Sequence, residues 1–215
     1  MKQLWPTLLI VAVIFVLWNT PVMIPLKILI VFFHELSHGL AAVLTGGSIK
    51  SISISPQQGG VTLTRGGWLF FITSAGYLGS LLIGVLLYLS ALKTKADRLI
   101  MGALGATMLL VAALYMRELF ALGFTIAAGA AMLASARFLP ENINDTALRV
   151  LGLVSMGYVP FDILSDTIIR TSLRSDAYNL STQTGLPTVL WGGIWLLMSL
   201  YVVWKVMRLS MARKA

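Results

Sequence analysis

The chain has 215 residues, of which 58% are hydrophobic and only 11% are charged. An average soluble domain carries about 25% charged residues, so this composition excludes an ordinary soluble protein and indicates an integral membrane protein. At about 20 apolar residues per crossing, the length allows six or seven helical spans with short loops between them. It leaves no room for a large soluble domain.

The net charge of +8 has a simple interpretation in such a chain. Basic residues collect in the short loops of membrane proteins and report orientation, so we expect a lipid bilayer as a partner and no nucleic acid. The sequence contains no cysteine, which excludes disulfides and thiolate metal sites.

The apolar segments predict membrane helices in chain order. They cover residues 5–19, 24–45, 68–92, 98–116, 118–138, 147–170 and 187–208. The first is interpreted as a retained span rather than a signal peptide, because no small-x-small cleavage site follows it. Residues 98–138 form either two short helices or a less regular structure. We predict an all-α, multi-pass membrane protein with one domain over residues 1–215.

One segment has the period of a strand instead of a helix. In "SIKSISISPQQGGVTLTRGG", Ile52 and Ile54 alternate with serines, and Val61 and Leu63 alternate with threonines after a Pro/Gly turn. Alternation on both sides of a turn predicts a β-hairpin at about residues 49–64. We expect one apolar face and one hydroxyl face. The hairpin should rest on the membrane interface or on the helices, since two strands alone are marginal in water.

The two histidines of the chain stand in "VFFHELSHGLAAVLTGG", as His34-Glu35-Leu36-Ser37-His38. On a helix, positions i and i+4 share a face, so both imidazoles can bind one ion with Glu35 beside it as a base. Zinc at such a site lowers the pKa of bound water from about 15.7 to about 7. Ionisable residues within an apolar span cost a few kcal/mol each on insertion scales and indicate function by default.

A catalytic zinc ion needs a third protein ligand and an open position for water. With neither a third histidine nor a cysteine in the chain, that ligand must be a carboxylate. The candidates are Glu118, Asp145, Asp162 and Asp166 and, less plausibly, the loop residues Asp97, Glu141 and Asp176. Asp162 and Asp166 lie in the apolar segment "GYVPFDILSDTII", which favours them over solvated carboxylates.

Small residues in "SAGYLGS", at positions 74–80, stand in an apolar segment. Small side chains at such spacing let helices approach closely in lipid. We therefore interpret Ser74, Gly76, Gly79 and Ser80 as helix-packing residues rather than as catalytic residues.

These motifs together resemble those of the site-2 proteases, the intramembrane zinc metalloproteases of peptidase family M-fifty, and within them the compact B-like subgroup. The similar stretches are "FFHELSHGLAAVLTGG", "GGVTLTRGG", "SAGYLGS" and "FDILSD…SDAYNLSTQTG". The resemblance implies that His34 and His38 are zinc ligands, that Glu35 is the general base and that Asp162 is the third ligand. Asp166 is the substitute ligand, or a residue that orients an imidazole. "YVPFDIL" lacks the first proline and the final glycine of the family's usual second motif.

The sequence thus predicts a membrane-embedded enzyme with one zinc ion that cleaves membrane-associated protein substrates. Two alternatives keep the same residues. The first is an inactive zinc-binding scaffold or regulator of membrane partners. The second is an ion-coupled transporter, because histidines and carboxylates within spans also form proton pathways. The order of ligands and base in HExxH favours the enzyme, since a transporter needs no such order.

Overall fold

The computed structural model describes residues 4–169 and 174–212. The elements are α1 (Leu4–Leu17), α2 (Ile24–Leu44), β1 (Ser48–Ile54), β2 (Gly60–Arg65), α3 (Leu69–Lys93), α4 (Asp97–Tyr115), α5 (Leu119–Phe138), α6 (Glu141–Leu164), α7 (Asp176–Thr184) and α8 (Thr188–Ala212). A 3-10 turn (Pro21–Met23) precedes α2, and a π-helical turn (Ser165–Ile169) continues α6. The predicted fold class, helices with one short hairpin after the HExxH helix, is confirmed.

Six of these helices, α2 to α6 and α8, are long and apolar enough to cross a membrane. The 14 residues of α1 extend only about 21 Å at 1.5 Å per residue, which is short of a hydrocarbon core of about 30 Å. Of the two predicted numbers of membrane spans, six and seven, the described residues therefore agree with six. Region 98–138 forms two regular helices, and residue 170, the predicted end of the sixth segment, lies outside the described residues.

Helix α2 is the most enclosed of the six long helices. It packs against α3, α6 and both strands, and Ile30, Phe32 and Phe33 are almost completely buried along it. α4 and α5 form a closely packed pair beside this core, and α7 lies against α3 and α8. The HExxH turn is therefore held inside the helix bundle.

Helices α3 and α6 approach closely through small residues. A Cβ atom on Gly152 of α6 would lie 2.7 Å from the Gly84 carbonyl oxygen and 2.7 Å from Cβ of Tyr88. The Ser155 hydroxyl also donates a hydrogen bond to the Ser80 carbonyl oxygen of α3, at 2.8 Å. Close backbone approach and hydroxyl hydrogen bonds are typical of helix pairs in lipid. This contact fixes α6 relative to α3.

The chain turns back on itself at the end of α2. Gly46 has φ +86°, its N–H donates to the Val43 carbonyl at 3.1 Å, and the Gly47 N–H donates to the Ala42 carbonyl at 2.7 Å. This pair of bonds is a Schellman motif, which needs a residue in the left-handed region. Strand β1 then runs back along α2, because Ile49 lies against Gly39.

The antiparallel register of the hairpin differs from the predicted two faces. Ile52 pairs with Thr62, and Ser53 pairs with Val61, and directly opposite residues share a face of the sheet. Each face therefore mixes apolar and hydroxyl side chains, and the prediction of one apolar and one hydroxyl face is wrong. Each strand does alternate along its length, but the turn length sets the register between the strands.

The α3–α6 contact can be tested with two glycines of α6. We expect Gly152→Ala to lower the free energy of unfolding by about 1–3 kcal/mol, because its Cβ has no space between the helices. Gly157→Ala is the matched control, since a Cβ there meets nothing within 4 Å. Thermal unfolding in detergent measures both. Equal melting temperatures for the two variants would contradict the close approach.

Candidate metal centre

The HExxH residues form a compact group on α2. The rings of His34 and His38 have centroids 4.8 Å apart, and one ligand atom from each of His34, Glu35 and His38 lies within 4.8 Å of the others. Glu35 and His38 are buried, and the His34 side chain keeps 16% of its exposure. The helical spacing thus brings the two imidazoles and the glutamate together, as predicted.

A carboxylate from a distant element completes this group. Oδ2 of Asp176, the first residue of α7, lies 2.9 Å from Nε2 of His34 and 3.2 Å from Nε2 of His38. Ser175, the N-cap of α7, accepts a hydrogen bond from the Tyr178 N–H and so helps to fix this turn. One carboxylate oxygen therefore meets both imidazole nitrogens.

The arrangement is compatible with a metal ion. Despite these distances, Oδ2 of Asp176 has no hydrogen-bond partner of acceptable geometry among the described residues. A tetrahedral zinc ion with ligand bonds of about 2.0–2.1 Å separates its ligand atoms by about 3.3–3.4 Å. The observed separations of 2.9 and 3.2 Å approach this value, so both contacts of Asp176 are compatible with a shared metal ion.

Charge favours the ionised form of Asp176. Burial by itself opposes ionisation of this carboxyl group, but positive charge on His38 and His34, when these rings are protonated, outweighs that effect and holds the pKa of Asp176 below its ordinary value. A carboxylate is also the form that binds a metal ion, whereas the imidazoles bind one only as neutral rings.

A glycine of α3 makes room for the group. A Cβ atom on Gly76 would collide with Nε2 of His34 and would lie 2.6 Å from Oδ2 of Asp176. Gly79, one turn later, has a different neighbour: its Cβ would lie 2.5 Å from Ser37. Gly79 is thus a packing residue as predicted. Gly76, predicted as packing only, faces Nε2 of His34 and Oδ2 of Asp176.

A hydrogen bond on the side of the ring away from Asp176 fixes the orientation of His38. Its Nδ1 atom lies 2.6 Å from the Ile72 carbonyl oxygen of α3. A carbonyl can only accept, so Nδ1 carries the hydrogen, and the lone pair of the neutral ring is left on Nε2. A hydrogen bond of this kind sets the tautomer and ring direction of metal-binding histidines.

The side chain of Glu35, on α2, lies against the start of β2. It is 5% exposed, and its Oε2 atom has no hydrogen-bond partner among the described residues. A Cβ atom on Gly60 would lie 2.5 Å from Oε1 of Glu35, so only glycine lets the strand pass there. The Thr62 hydroxyl ties the same strand to the Glu35 carbonyl oxygen at 2.9 Å. Oε2 of Glu35 is thus buried and able to accept a hydrogen bond or a proton.

The group lies in a cavity of about 700 Å³ that is lined by α2, β2, α3, α6 and α7. Asp162 and Asp166 both line this cavity, and the Tyr77 hydroxyl donates a hydrogen bond to Oδ2 of Asp166 at 3.1 Å. The structure therefore places both predicted aspartates at the site. Their assignment as metal ligands stays a prediction, whereas the carboxylate that meets the imidazoles belongs to Asp176.

Asp176 was one of the three less plausible sequence candidates, because its surroundings are polar. In "RTSLRSDAYNLSTQTG" the aspartate has the composition of an exposed loop. The available signal was Ser175 before Asp176, which is typical of a helix N-terminus. A short helix there folds onto α3, where Gln183 donates a hydrogen bond to the buried Thr73 hydroxyl at 3.2 Å.

Comparison with known families agrees with the geometry. The family model described as Peptidase M50B-like matches residues 7–206, which is nearly the whole chain. The chain therefore belongs to the Peptidase M50B-like family, and the resemblance to site-2 proteases is confirmed. No curated protein and no solved structure matches the chain significantly.

Family membership and the six long apolar helices together define a multi-pass membrane protein. The family also supports a protease, and the His34, Glu35 and His38 group is compatible with a metal site.

The space at Gly76 gives a direct test of the ligand group. If this group binds a metal ion, we expect Gly76→Ala to weaken that binding by about 10- to 100-fold, the range for changes next to metal ligands, because its Cβ pushes on His34 and Asp176. Zinc affinity is measured by competition with a chelator. Gly84→Ala is the control for packing cost, because its Cβ would lie 2.7 Å from Cβ of Ser155 and away from the ligands. Equal zinc affinity in both variants would contradict this role.

Proposed function

We propose that this protein is a membrane-embedded zinc metalloprotease that hydrolyses peptide bonds of membrane protein substrates. The observation that carries the proposal is the convergence of His34 Nε2, His38 Nε2 and Asp176 Oδ2 beside the buried Glu35. Membership of a peptidase family supports it. Three nitrogen and oxygen ligands with a carboxylate nearby are typical of a catalytic zinc site.

Under this proposal the third ligand is Asp176, in place of Asp162. The contact of Asp176 with both imidazoles supports the change. Asp162 then becomes a residue of the cavity wall, where it contributes polarity to a space that must admit water. Asp166 becomes a supporting residue, the second of the two roles predicted for it.

Different residues of the chain have different roles in the proposed hydrolysis. His34, His38 and Asp176 would hold the zinc ion, which would supply Lewis acidity: a polarised peptide carbonyl and a water molecule with a lowered pKa that is more easily deprotonated to the nucleophile. Glu35 accepts a proton from the attacking water as the new C–O bond forms. The C–N bond then breaks, and Glu35 returns the proton to the leaving amine. The products are a carboxylic acid and an amine, and Glu35 ends as it began.

The hairpin supplies one wall of the substrate space. Val61, Thr62 and Thr64 of β2 line the cavity, while β1 lies against α2, α4 and α5. The outer edge of β2 is therefore suited to pair with an extended substrate segment, which is the β-augmentation mode of peptide binding. A substrate helix must unwind before it can bind in this way.

The proposal predicts that Glu35→Gln keeps zinc and loses proteolysis. We expect wild-type zinc content, because Glu35 is not a ligand, and a rate at least about 100-fold lower, because general-base catalysis contributes 10²–10⁴-fold. The measurement is mass-spectrometric detection of new peptide termini after co-reconstitution with membrane proteins, with zinc content determined in parallel.

Glu141→Gln is the matched control, since Glu141 is exposed at the start of α6 and outside the cavity. No new termini with wild-type protein would contradict the enzyme and favour the scaffold. Substrate-driven ion flux in sealed vesicles that disappears in Glu35→Gln would favour the transporter.

The third ligand can be decided by two substitutions. We expect Asp176→Ala to weaken zinc binding by more than about 100-fold, since even changes of outer residues cost 10- to 100-fold, and Asp162→Ala to keep zinc. Metal analysis of the purified variants measures this, with His34→Ala as the zinc-free reference. Loss of zinc in Asp162→Ala together with retention in Asp176→Ala would restore Asp162 as the ligand.

A further inference from the structure

Tyr77 is a buried polar residue that the proposed chemistry does not use. It is 2% exposed and follows Gly76 on α3. Its ring contacts His34 edge to face, with centroids 4.8 Å apart and an interplanar angle of 81°. On its other side it contacts Trp195 of α8, with centroids 5.5 Å apart. The tyrosine ring is therefore held between a metal-binding imidazole and a tryptophan.

The hydroxyl group of Tyr77 explains why this ring is not a phenylalanine. It donates a hydrogen bond to Oδ2 of Asp166 at 3.1 Å. Asp166 lies in the π-helical turn after α6, so this bond ties the ring of α3 to a second element. A buried tyrosine hydroxyl usually has such a partner. Here the partner fixes the ring at its far end.

The two imidazoles are held in different ways. The Ile72 carbonyl accepts a hydrogen bond from Nδ1 of His38. Among the described residues, no group accepts a hydrogen bond from Nδ1 of His34. The aromatic rings that contact the His34 ring are those of His38 and Tyr77. Edge-to-face pairs have a preferred geometry. The Tyr77 ring is thus the contact suited to fix the direction of the His34 ring.

We propose that Tyr77 is a positioning residue that holds His34 in the orientation of a metal ligand, and that Asp166 acts on the site through the Tyr77 hydroxyl. The inference rests on the proposed metal site. Outer residues of this kind commonly tune metal affinity. In this proposal Asp166 fixes the Tyr77 ring, and the Tyr77 ring orients His34.

The test uses the full-length purified protein with zinc or cobalt alone as the probe. We expect Tyr77→Phe, which keeps the ring and deletes one oxygen, to weaken zinc binding about 10-fold, and Tyr77→Leu, which removes the ring, up to about 100-fold. The visible spectrum of the Co²⁺-substituted protein should change in both variants, because it reports the arrangement of the ligands. A merely structural tyrosine would leave this spectrum unchanged.

Tyr88→Phe is the matched control. Tyr88 is also fully buried on α3, and its hydroxyl lies 3.5 Å from that of Thr7 instead of at the site. We expect wild-type zinc affinity and a wild-type cobalt spectrum. If Tyr77→Phe behaves like Tyr88→Phe in both measurements, the positioning role is wrong. Because Tyr77→Phe preserves ring packing, this comparison stands even where Tyr77→Leu fails to fold.

The role of Asp166 is tested by combination. We expect Asp166→Ala to match Tyr77→Phe in zinc affinity, Asp166→Asn to stay near wild type because its amide oxygen still accepts, and the double variant Tyr77→Phe/Asp166→Ala to lose nothing further. A further loss in the double variant would show that Asp166 acts independently of Tyr77. Failure of the proposed function has a separate sign, namely wild-type protein that binds no zinc or shows no Glu35-dependent cleavage.

Discussion

The contact between the Asp176 carboxylate and the imidazoles of His34 and His38 is the interaction on which the rest of the site depends. Helix α2 carries three ionisable side chains on neighbouring turns of a membrane-spanning segment. Each costs a few kcal/mol within a span, and two basic rings need a negative partner there. The carboxylate of α7 supplies it, and under the proposed function the same three atoms are the metal ligands. The ionisable side chains that are unfavourable in a membrane-spanning helix are thus the same side chains that form the candidate site.

Close backbone approach makes this contact possible. Gly76 of α3 leaves room for the ligand atoms, and Gly60 of β2 leaves room for Glu35. At both places the missing side chain is replaced by a functional group of another element. The glycines therefore have a shared purpose, which is to let α3 and the hairpin close around α2 without displacing the reactive side chains. The Ile72 carbonyl and the Tyr77 ring then orient the two imidazoles from the same helix, α3.

Much of the architecture could be predicted because it depends on local pattern. Apolar stretches of about 20 residues gave most helices within a few residues of their bounds, and alternation around "PQQGG" gave the hairpin. The polar first turns of α6, which begins at Glu141 rather than at 147, and the polar helix α7 were missed because hydropathy does not mark them. The pairing of Ile52 with Thr62 could not be read from either strand alone, because register depends on the number of residues in the turn. The HExxH group was predictable for a similar local reason, since helical periodicity alone places His34 and His38 on one face.

The sequence by itself determined the membrane class, the helix order, and the identity of His34, Glu35 and His38 as a group. Only the tertiary structure decided which carboxylate meets them. Composition favours Asp162 and Asp166, which lie in apolar sequence, whereas Asp176 lies in a polar stretch. The physical reason is distance along the chain. A contact between residues about 140 positions apart depends on how α7 packs on α3. Composition indicates whether a segment is solvated, but it does not indicate which element the segment packs against.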